Sequence, residues 1–272
     1  MPALTSSDLA AQCLAGSDDA WRRFITRYMP FAAAILDRYR PDAGTNRREW
    51  LEKILASARG PDAGFFREYQ GQSEREFLLH LREHVLTAAP AGQLSQDPPS
   101  ASPLDWEVFE KALSGLTALE RQIVWTSMLS PAAGDADKVL RLDPATVLAV
   151  MSKAQELLRD LCGMWSDQML GQNRVRLAQR ARLSPAGDCP VPRLYLRMLD
   201  GQITWRDRSE LEQHLCRCWY CVDILCRFRE VTFLWDQAQP LLDSDAQAYC
   251  QRLGLRDSGA SRWRWGASRR RQ

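Results

Sequence analysis

The 272-residue sequence predicts an all-α protein. Helix-capping residues recur along the chain, and apolar residues in the segments that follow them repeat at intervals of three and four. Segments with the alternating pattern of a β-strand are nearly absent. The length is sufficient for two or three small helical domains.

Composition and hydropathy indicate a cytoplasmic protein. Residues 1–12 contain no apolar run, and no segment approaches the length of a membrane-spanning helix, so we expect neither a signal peptide nor a membrane span. Eight cysteines are too few for a disulfide framework at this length. In a reducing compartment they indicate metal ligands and free thiols. Positive charge is concentrated in the carboxy-terminal part of the chain.

Residues 1–88 predict a first helical domain. Ser17 and the two aspartates after it begin a long helix, with Pro30 inside it as the source of a kink. Ser73 and Glu76 form a capping box for a last helix that ends near residue 88. Two further helices are predicted, with caps at Ser7 and Asn46.

A flexible linker is predicted at residues 89–104, which are rich in Pro, Ser, Gly and Gln. A second helical domain, residues 105–165, follows it. Thr117 and Glu120 form a capping box, and Pro144, one residue after an aspartate N-cap, begins a long helix. A short helix precedes this one across a tight turn, so the pair predicts a helix-turn-helix.

Residues 188–235 carry the pattern of a short helical metal-binding module. His214 and Cys218 lie four residues apart, which places both on one face of a helix, and Cys221 follows at a helix start or tight turn. Cys189, from the preceding segment, would complete a Cys3His shell without an open position, which is the geometry of a structural zinc site. The alternative is a set of buried thiols with an incidental histidine.

The remaining cysteines and the end of the chain have less specific patterns. Cys216 and Cys226 are interpreted as packing residues, because the four matched positions already fill the shell. Residues 236–272 are predicted to form a helical segment and then a basic tail that alternates Arg and Trp. Such a tail can bind nucleic acid or an anionic membrane surface, or it can be a disordered solubilising end.

One pattern would make the protein an enzyme. His80, Glu83 and His84 match an inverted zinc-protease motif, with two histidines one turn apart and a glutamate between them. No downstream segment offers a third acidic ligand on a matching helix, and the alternative is a solvated helix face. We therefore expect no enzymatic activity.

Several stretches together resemble a known combination of protein families. Residues 8–21, Asp-Leu-Ala-Ala-Gln-Cys-Leu-Ala-Gly-Ser-Asp-Asp-Ala-Trp, and residues 24–31 resemble the start of the core-polymerase-binding domain in bacterial extracytoplasmic-function sigma factors. Residues 116–125 and 145–158 are similar to the promoter-reading domain of that family. Residues 189–221, with a Leu-Asp-Gly-Gln turn before the His-x3-Cys-x2-Cys cluster, resemble the zinc-binding anti-sigma domain. The matches follow one another along the chain in the order sigma domain, linker, sigma domain and zinc domain, and this order agrees with both resemblances.

The resemblance implies functional positions in the two sigma-like domains. Three residues of one helix are implied in polymerase binding: Glu49, Trp50 and Glu52. Lys53 departs from the family pattern there, because an acid is expected at its position. Three aromatic residues are implied in strand separation by stacking on unpaired bases, with apolar packing beneath a loop as the alternative: Phe65, Phe66 and Tyr69. Three other residues are implied in DNA contact: Arg82, Thr146 and Lys153.

Promoter DNA is nevertheless expected to bind weakly. Leu148, Val150 and Gln155 stand where the family has cations, which leaves Lys153 as the retained cation of that helix. Phosphate neutralisation supplies most of the sequence-independent affinity for DNA, and base edges are read chiefly through Arg, Lys, Asn and Gln. The exposed apolar residues fit better against an apolar partner.

The sequence therefore predicts a sigma-factor-like transcription regulator that associates with the core of RNA polymerase. The resemblance implies that the zinc module packs against the sigma-like domains in the same chain and masks their polymerase-binding face. The alternative is a degenerate sigma-like adaptor that acts through contacts with another protein, without promoter recognition.

Overall fold

The computed structural model describes seven stretches of the chain: residues 5–40, 46–60, 64–71, 73–88, 105–130, 135–162 and 167–256. Every regular element within these stretches is a helix, which confirms the predicted all-α class. No helix there is long and apolar enough to cross a membrane. The predicted linker at 89–104 and the Arg/Trp tail at 261–272 lie outside the described residues.

The amino-terminal unit is built around its second helix. The unit comprises α1 (Ser6–Leu14), α2 (Asp18–Tyr39), α3 (Arg47–Arg59), α4 (Gly64–Glu68) and α5 (Glu74–Ala88). Trp21, Phe24, Tyr28 and Phe31 follow the helical spacing of α2, and all four side chains are buried. One face of α2 therefore forms the centre of the first hydrophobic core, and the helix continues through Pro30.

The caps of this unit agree with the sequence in part. The predicted box at the start of α5 is present, because the Glu76 amide donates to Ser73 Oγ and the Ser73 amide donates to Glu76 Oε2. The cap of α1 is Thr5 rather than Ser7, since the Thr5 side chain accepts from the Asp8 amide at 3.1 Å. Asn46 precedes α3 as predicted but makes no side-chain capping hydrogen bond.

The central unit contains the helix-turn-helix pair. It comprises α6 (Trp106–Ala112), α7 (Ala118–Val124), a π-helical turn (Trp125–Leu129), α8 (Ala136–Leu140) and α9 (Pro144–Cys162). The capping box of Thr117 and Glu120 is present at the start of α7. Asp135 and Arg141, the residues on either side of α8, both have positive φ. Such backbone is costly for a residue with a side chain, so tertiary contacts must hold α8 in place.

The carboxy-terminal unit contains the candidate metal ligands and consists of five helices in the described residues. It comprises α10 (Asp167–Leu183), α11 (Pro192–Leu199), α12 (Trp205–Leu215), α13 (Trp219–Gln237) and α14 (Asp243–Arg252). The sequence interpretation assigned no element to residues 166–187, where α10 packs on α13 and on the π-helical turn. The spacing of apolar residues there is irregular and the segment is rich in Arg and Gln, so it carries no clear amphipathic signal.

Helix α13 connects all three units. Its first half contributes Trp219, Val222 and Leu225 to the core shared by the central and carboxy-terminal units. Its second half contributes Val231 and Leu234 to the core of the amino-terminal unit. The helix contacts α2 and α5 of the amino-terminal unit, α7 and α8 of the central unit, and α10. In the described residues, α13 therefore contacts helices of both other units.

A buried cluster of charged and polar side chains fixes α13 to the amino-terminal unit. The Glu230 carboxylate accepts from Arg38 Nε at 2.9 Å, from Arg82 Nε at 2.9 Å and from the Tyr39 hydroxyl at 2.8 Å. Burial acts to raise the pKa of Glu230, but the charges of Arg82 and Arg38 outweigh it and the net shift is downward. The carboxylate is therefore the favoured form in the folded chain.

Candidate metal centre

Four side chains from three neighbouring segments converge beside the start of α13. Cys189 lies in the turn before α11, where its amide donates to the Ala186 carbonyl at 3.2 Å. His214 is in the last turn of α12, Cys218 is the N-cap residue of α13, and Cys221 lies in the first turn of α13. The Cys218 amide donates to the His214 carbonyl, so a single backbone turn brings these three residues together.

The distances suit a four-coordinate ion. One possible ligand atom from each of the four residues lies within 4.8 Å of the other three. The sulfurs of Cys189 and Cys218 are 3.8 Å apart, and His214 Nε2 is 3.0 Å from the Cys221 sulfur. Two sulfurs at about 2.3 Å from a tetrahedral zinc would be about 3.8 Å apart. The four residues form a cluster that could hold a metal ion, as the sequence predicted.

The electrostatics of the cluster favour a thiolate. The pKa of the Cys218 thiol is lowered to about 4, chiefly by its hydrogen bond with Cys221. The pKa of Cys221 is raised by that same hydrogen bond and then by burial, while burial raises the pKa of Cys189. Since the thiolate is the metal-binding form of cysteine, one ligand is already stabilised in the required state by its neighbours.

The other cysteines of this unit do not join the cluster. Cys226 is buried, and the Thr126 hydroxyl lies 3.6 Å from its sulfur, so its environment is that of a packing residue. Cys216 is half-buried at the end of α12 and is not among the converging ligands. Within the described residues, no other group of His, Cys, Asp or Glu side chains converges in this way.

Two residues that the sequence interpretation missed lie next to the candidate ligands. Asp188 Oδ1 lies 3.6 Å from Nδ1 of His214, on the side of the ring opposite the cluster, and Asp188 also pairs with Arg217. The Tyr195 hydroxyl is fully buried beside Cys221. The position of Asp188 next to Cys189 in the sequence was the available signal for the first of these contacts.

We predict that Asp188→Ala weakens metal binding. A carboxylate behind a ligating histidine fixes the ring and raises its basicity, and loss of such a partner costs about 10-fold to 100-fold in affinity. Asp188 is largely exposed, so we expect a loss near the lower limit. Competition with a chromogenic zinc chelator measures it. Asp200→Ala, on the exposed turn after α11, is the control, and equal affinities of the two variants would contradict the prediction.

The fold and this cluster together define an all-helical protein with a candidate Cys3His metal centre. No protein-family model, no curated protein and no solved structure matches the chain.

The aromatic residues implied in DNA strand separation lie inside the amino-terminal unit. Phe65 and Phe66 are buried, and the Phe66 ring packs edge-on against Trp21 and Phe24 at 5.3 Å from each. Tyr69 is half-buried, and its hydroxyl donates to the Ser73 carbonyl. These environments agree with the alternative of apolar packing. Neither phenylalanine ring is accessible to an unpaired base in this arrangement.

The residues implied in duplex contact have different environments. Arg82 is buried and bound to Glu230, so it does not face solvent. Lys153 is exposed, but its ammonium group pairs with Glu120 at 2.7 Å. Thr146 is exposed on α9, and Leu148 beside it is 67% exposed. The face of α9 that the resemblance assigns to DNA therefore presents an apolar side chain and a paired cation.

The residues implied in polymerase binding lie on α3. Glu49 is exposed and pairs with Lys53, the residue that departs from the family pattern. Trp50 is half-buried, with the Arg40 guanidinium 5.8 Å from its ring centre. Glu52 pairs with Arg252 at 3.6 Å, which links this surface to α14.

The inverted protease pattern forms no metal site in the described structure. His80 Nε2 contacts the Phe65 carbonyl at 2.5 Å, and its ring stacks on that phenylalanine. His84 Nε2 lies 3.1 Å from Ser57 Oγ, and burial lowers the pKa of this histidine. Glu83 pairs with Arg82 and Arg227. The two histidines thus have packing and hydrogen-bonding partners. They and Glu83 are half-buried, so this face of α5 is only partly exposed to solvent.

Proposed function

We propose that this chain is a sigma-factor-like transcription regulator whose two helical units are held in a closed arrangement by a zinc-binding module. The observation that carries the proposal is the course of α13. The helix begins at the candidate ligands Cys218 and Cys221 and ends in the core of the amino-terminal unit. Any change at the metal centre that moves the start of α13 therefore acts on both units.

The donor set suits zinc better than a hard cation. Three thiols and one imidazole at tetrahedral spacing are the ligands that zinc prefers, whereas calcium and magnesium require oxygen ligands. Cys189, His214, Cys218 and Cys221 would hold the ion. A fourth protein ligand leaves no open position, so zinc would supply folding energy and not a reaction centre.

The contacts of the carboxy-terminal unit are those expected of an intramolecular inhibitor. Helix α14 packs on α2, and its Arg252 pairs with Glu52 on the helix implied in polymerase binding. Arg75 at the start of α5 pairs with Asp200 in the turn between α11 and α12. Because the module is tethered, its effective concentration at these surfaces is on the order of millimolar. Even individually weak contacts would then keep the regulator closed.

A second candidate function is an adaptor that binds another protein through α9. The exposure of Leu148 and the pairing of Lys153 with Glu120 favour it, because an anionic groove is poorly matched by such a surface. An electrophoretic shift titration of the full chain at low salt tests this candidate. Tight, sequence-selective binding to duplex DNA with a steep salt dependence would exclude it in favour of promoter reading.

The closed arrangement is tested by binding to core RNA polymerase. Truncation before α10 would remove side chains of α13 from both cores, so the test uses the full chain. We expect Glu230→Ala, which breaks the buried cluster between α13 and the amino-terminal unit, to increase the fraction of protein retained by immobilised core enzyme several-fold. The control is Asp236→Ala. It removes an exposed ion pair between α13 and Arg141, the residue that follows α8. Absence of binding in all forms would contradict the proposed function.

A further inference from the structure

A buried arginine of the central unit packs on the residue that follows one of the candidate metal ligands. Arg121, on α7, is 2% exposed. Its guanidinium carbon is 4.8 Å from the ring centre of Trp219, the residue that follows the ligand Cys218. One terminal nitrogen donates to the Leu113 carbonyl at 3.4 Å, a long hydrogen bond. The Nε and Nη1 atoms are buried and have no hydrogen-bond partner among the described residues.

A buried guanidinium in this condition requires a negative partner. Arginine remains charged in proteins, and an unpaired buried charge is strongly destabilising. Burial lowers the pKa of Arg121, and the groups that oppose this shift are Cys216, Glu110 and Cys218. Glu110 is half-buried on α6, and burial raises the pKa of its carboxyl group by more than the charge of Arg121 lowers it, so the net shift is upward. The other two groups are the thiol of Cys216, two residues before a candidate ligand, and the thiol of the candidate ligand Cys218.

Two other buried donors lie near the cluster. The Tyr195 hydroxyl interacts with the Cys221 thiol, and the Trp219 indole nitrogen is buried without a hydrogen-bond partner in the described structure. Each of these groups can donate a hydrogen bond to an anionic acceptor. Zinc with three thiolates and one neutral imidazole carries a net charge of minus one. Such a centre supplies the negative charge that this group of donors lacks.

We infer that Arg121 is the counter-charge of the metal–thiolate centre and ties the metal occupancy of the carboxy-terminal unit to the helix-turn-helix unit. Arg121 is a positioning residue, because it acts on the ligands and not on the ion itself. Helix α7 packs directly on α9. Metal binding is therefore coupled through Arg121 to α9, the helix that would bind either DNA or another protein. This inference rests on the proposed zinc centre but not on any interaction with RNA polymerase.

The test is the zinc affinity of the full chain with matched substitutions at one position. Arg121→Gln removes the charge and keeps a polar side chain, whereas Arg121→Lys keeps the charge. Loss of an outer partner of a metal site typically costs about 10-fold to 100-fold in affinity, so we expect a loss of about tenfold for the glutamine variant and an affinity close to wild type for the lysine variant. Lys153→Gln, which removes an exposed cation from the same unit, should leave the affinity unchanged.

A double substitution separates charge from packing. In a Cys189→His background the zinc-loaded shell would be neutral, so Arg121→Gln should cost less zinc affinity there than in the native shell. An equal cost in both backgrounds, or an equal loss for the lysine and glutamine variants, would overturn the inference and leave Arg121 with a packing role. If Arg121→Gln fails to fold, the lysine variant still decides, because a tenfold loss with the charge retained contradicts the inference.

The outcomes also distinguish this inference from the proposed function. A wild-type chain without stoichiometric zinc would overturn the metal centre and this inference together. Normal zinc binding that is insensitive to Arg121→Gln would overturn only the role of Arg121. Neither result depends on whether core polymerase binds, which is measured separately.

Discussion

The purified chain is expected to contain one zinc ion, and Cys221→Ser is expected to lose it. Cys221 is fully buried in the first turn of α13, and its sulfur is 3.0 Å from His214 Nε2. A serine hydroxyl is a poor zinc ligand at neutral pH, because the thiolate is the form that binds. Metal analysis by mass spectrometry, expressed as zinc per chain, measures the outcome.

Loss of the ion should also destabilise the carboxy-terminal unit strongly. Structural zinc contributes folding free energy on the order of 10 kcal/mol in isolated zinc-finger peptides. The helices around this cluster have additional apolar contacts with the other two units, so we expect a smaller loss of several kcal/mol and local opening of residues 186–221 first. Hydrogen exchange should show the largest loss of protection in α12 and the first turns of α13.

The matched control for this prediction is Cys216→Ser. Cys216 lies two residues before a ligand, is half-buried, and does not belong to the converging group. We expect this variant to retain one zinc and wild-type protection. Stoichiometric zinc in Cys221→Ser, or equal zinc loss in both variants, would show that the ligand set is assigned incorrectly.

Local signals in the sequence predicted several helix starts and the convergence of three candidate ligands, because their causes are local. The capping boxes of Thr117 with Glu120 and Ser73 with Glu76 depend on residues three positions apart, and both are present. His214, Cys218 and Cys221 are brought together by a single backbone turn. Cys189 is 29 positions from Cys218, and it was predicted as the thiol that would complete a four-ligand shell and as the first cysteine of the stretch that resembles the anti-sigma domain.

Long-range burial was not accessible to the same reasoning. Arg38 and Glu230 are 192 positions apart, and nothing local marks either residue as part of a buried cluster. The environments of Phe65 and Phe66 depend on Trp21 and Phe24, which belong to another helix. A pattern of aromatic residues on a short segment fits both a stacking surface and a core, and only the tertiary packing distinguishes them.

The buried cluster at Glu230 leads to the second prediction. Removing one partner of a buried ion pair typically costs about 3–5 kcal/mol, because the remaining charge stays buried without compensation. In Glu230→Ala, Arg38 would retain Asp135 at 3.1 Å and Arg82 would retain Glu83 at 2.7 Å. Both remaining carboxylates are partly exposed, so they compensate less than Glu230 does. We therefore expect a loss of about 3 kcal/mol in the free energy of unfolding.

The same cluster makes the stability dependent on pH in a defined direction. The pKa of Glu230 in the folded chain is lowered from 4.5, so its carboxylate contributes stability that is fully present above pH 4.5 and is lost as the pH falls below that value. Glu230→Gln removes the titrating group. Its unfolding free energy should therefore fall less steeply than that of wild type as the pH is lowered from 5 towards 3 in about one-unit steps.

Urea denaturation followed by tryptophan fluorescence measures these effects, with Asp236→Ala as the control. Asp236 lies on the same helix and pairs with Arg141 at 3.1 Å, but both side chains are at least half exposed. An exposed pair of this kind contributes about 0–1 kcal/mol, so Glu230→Ala should exceed the control by about 2 kcal/mol or more. Equal, small losses in both variants would mean that apolar packing of Val231 and Leu234, and not the buried charges, holds α13 against the amino-terminal unit. The candidate metal centre lies at the start of α13 and Glu230 lies in its second half, and each is expected to be necessary for the closed arrangement.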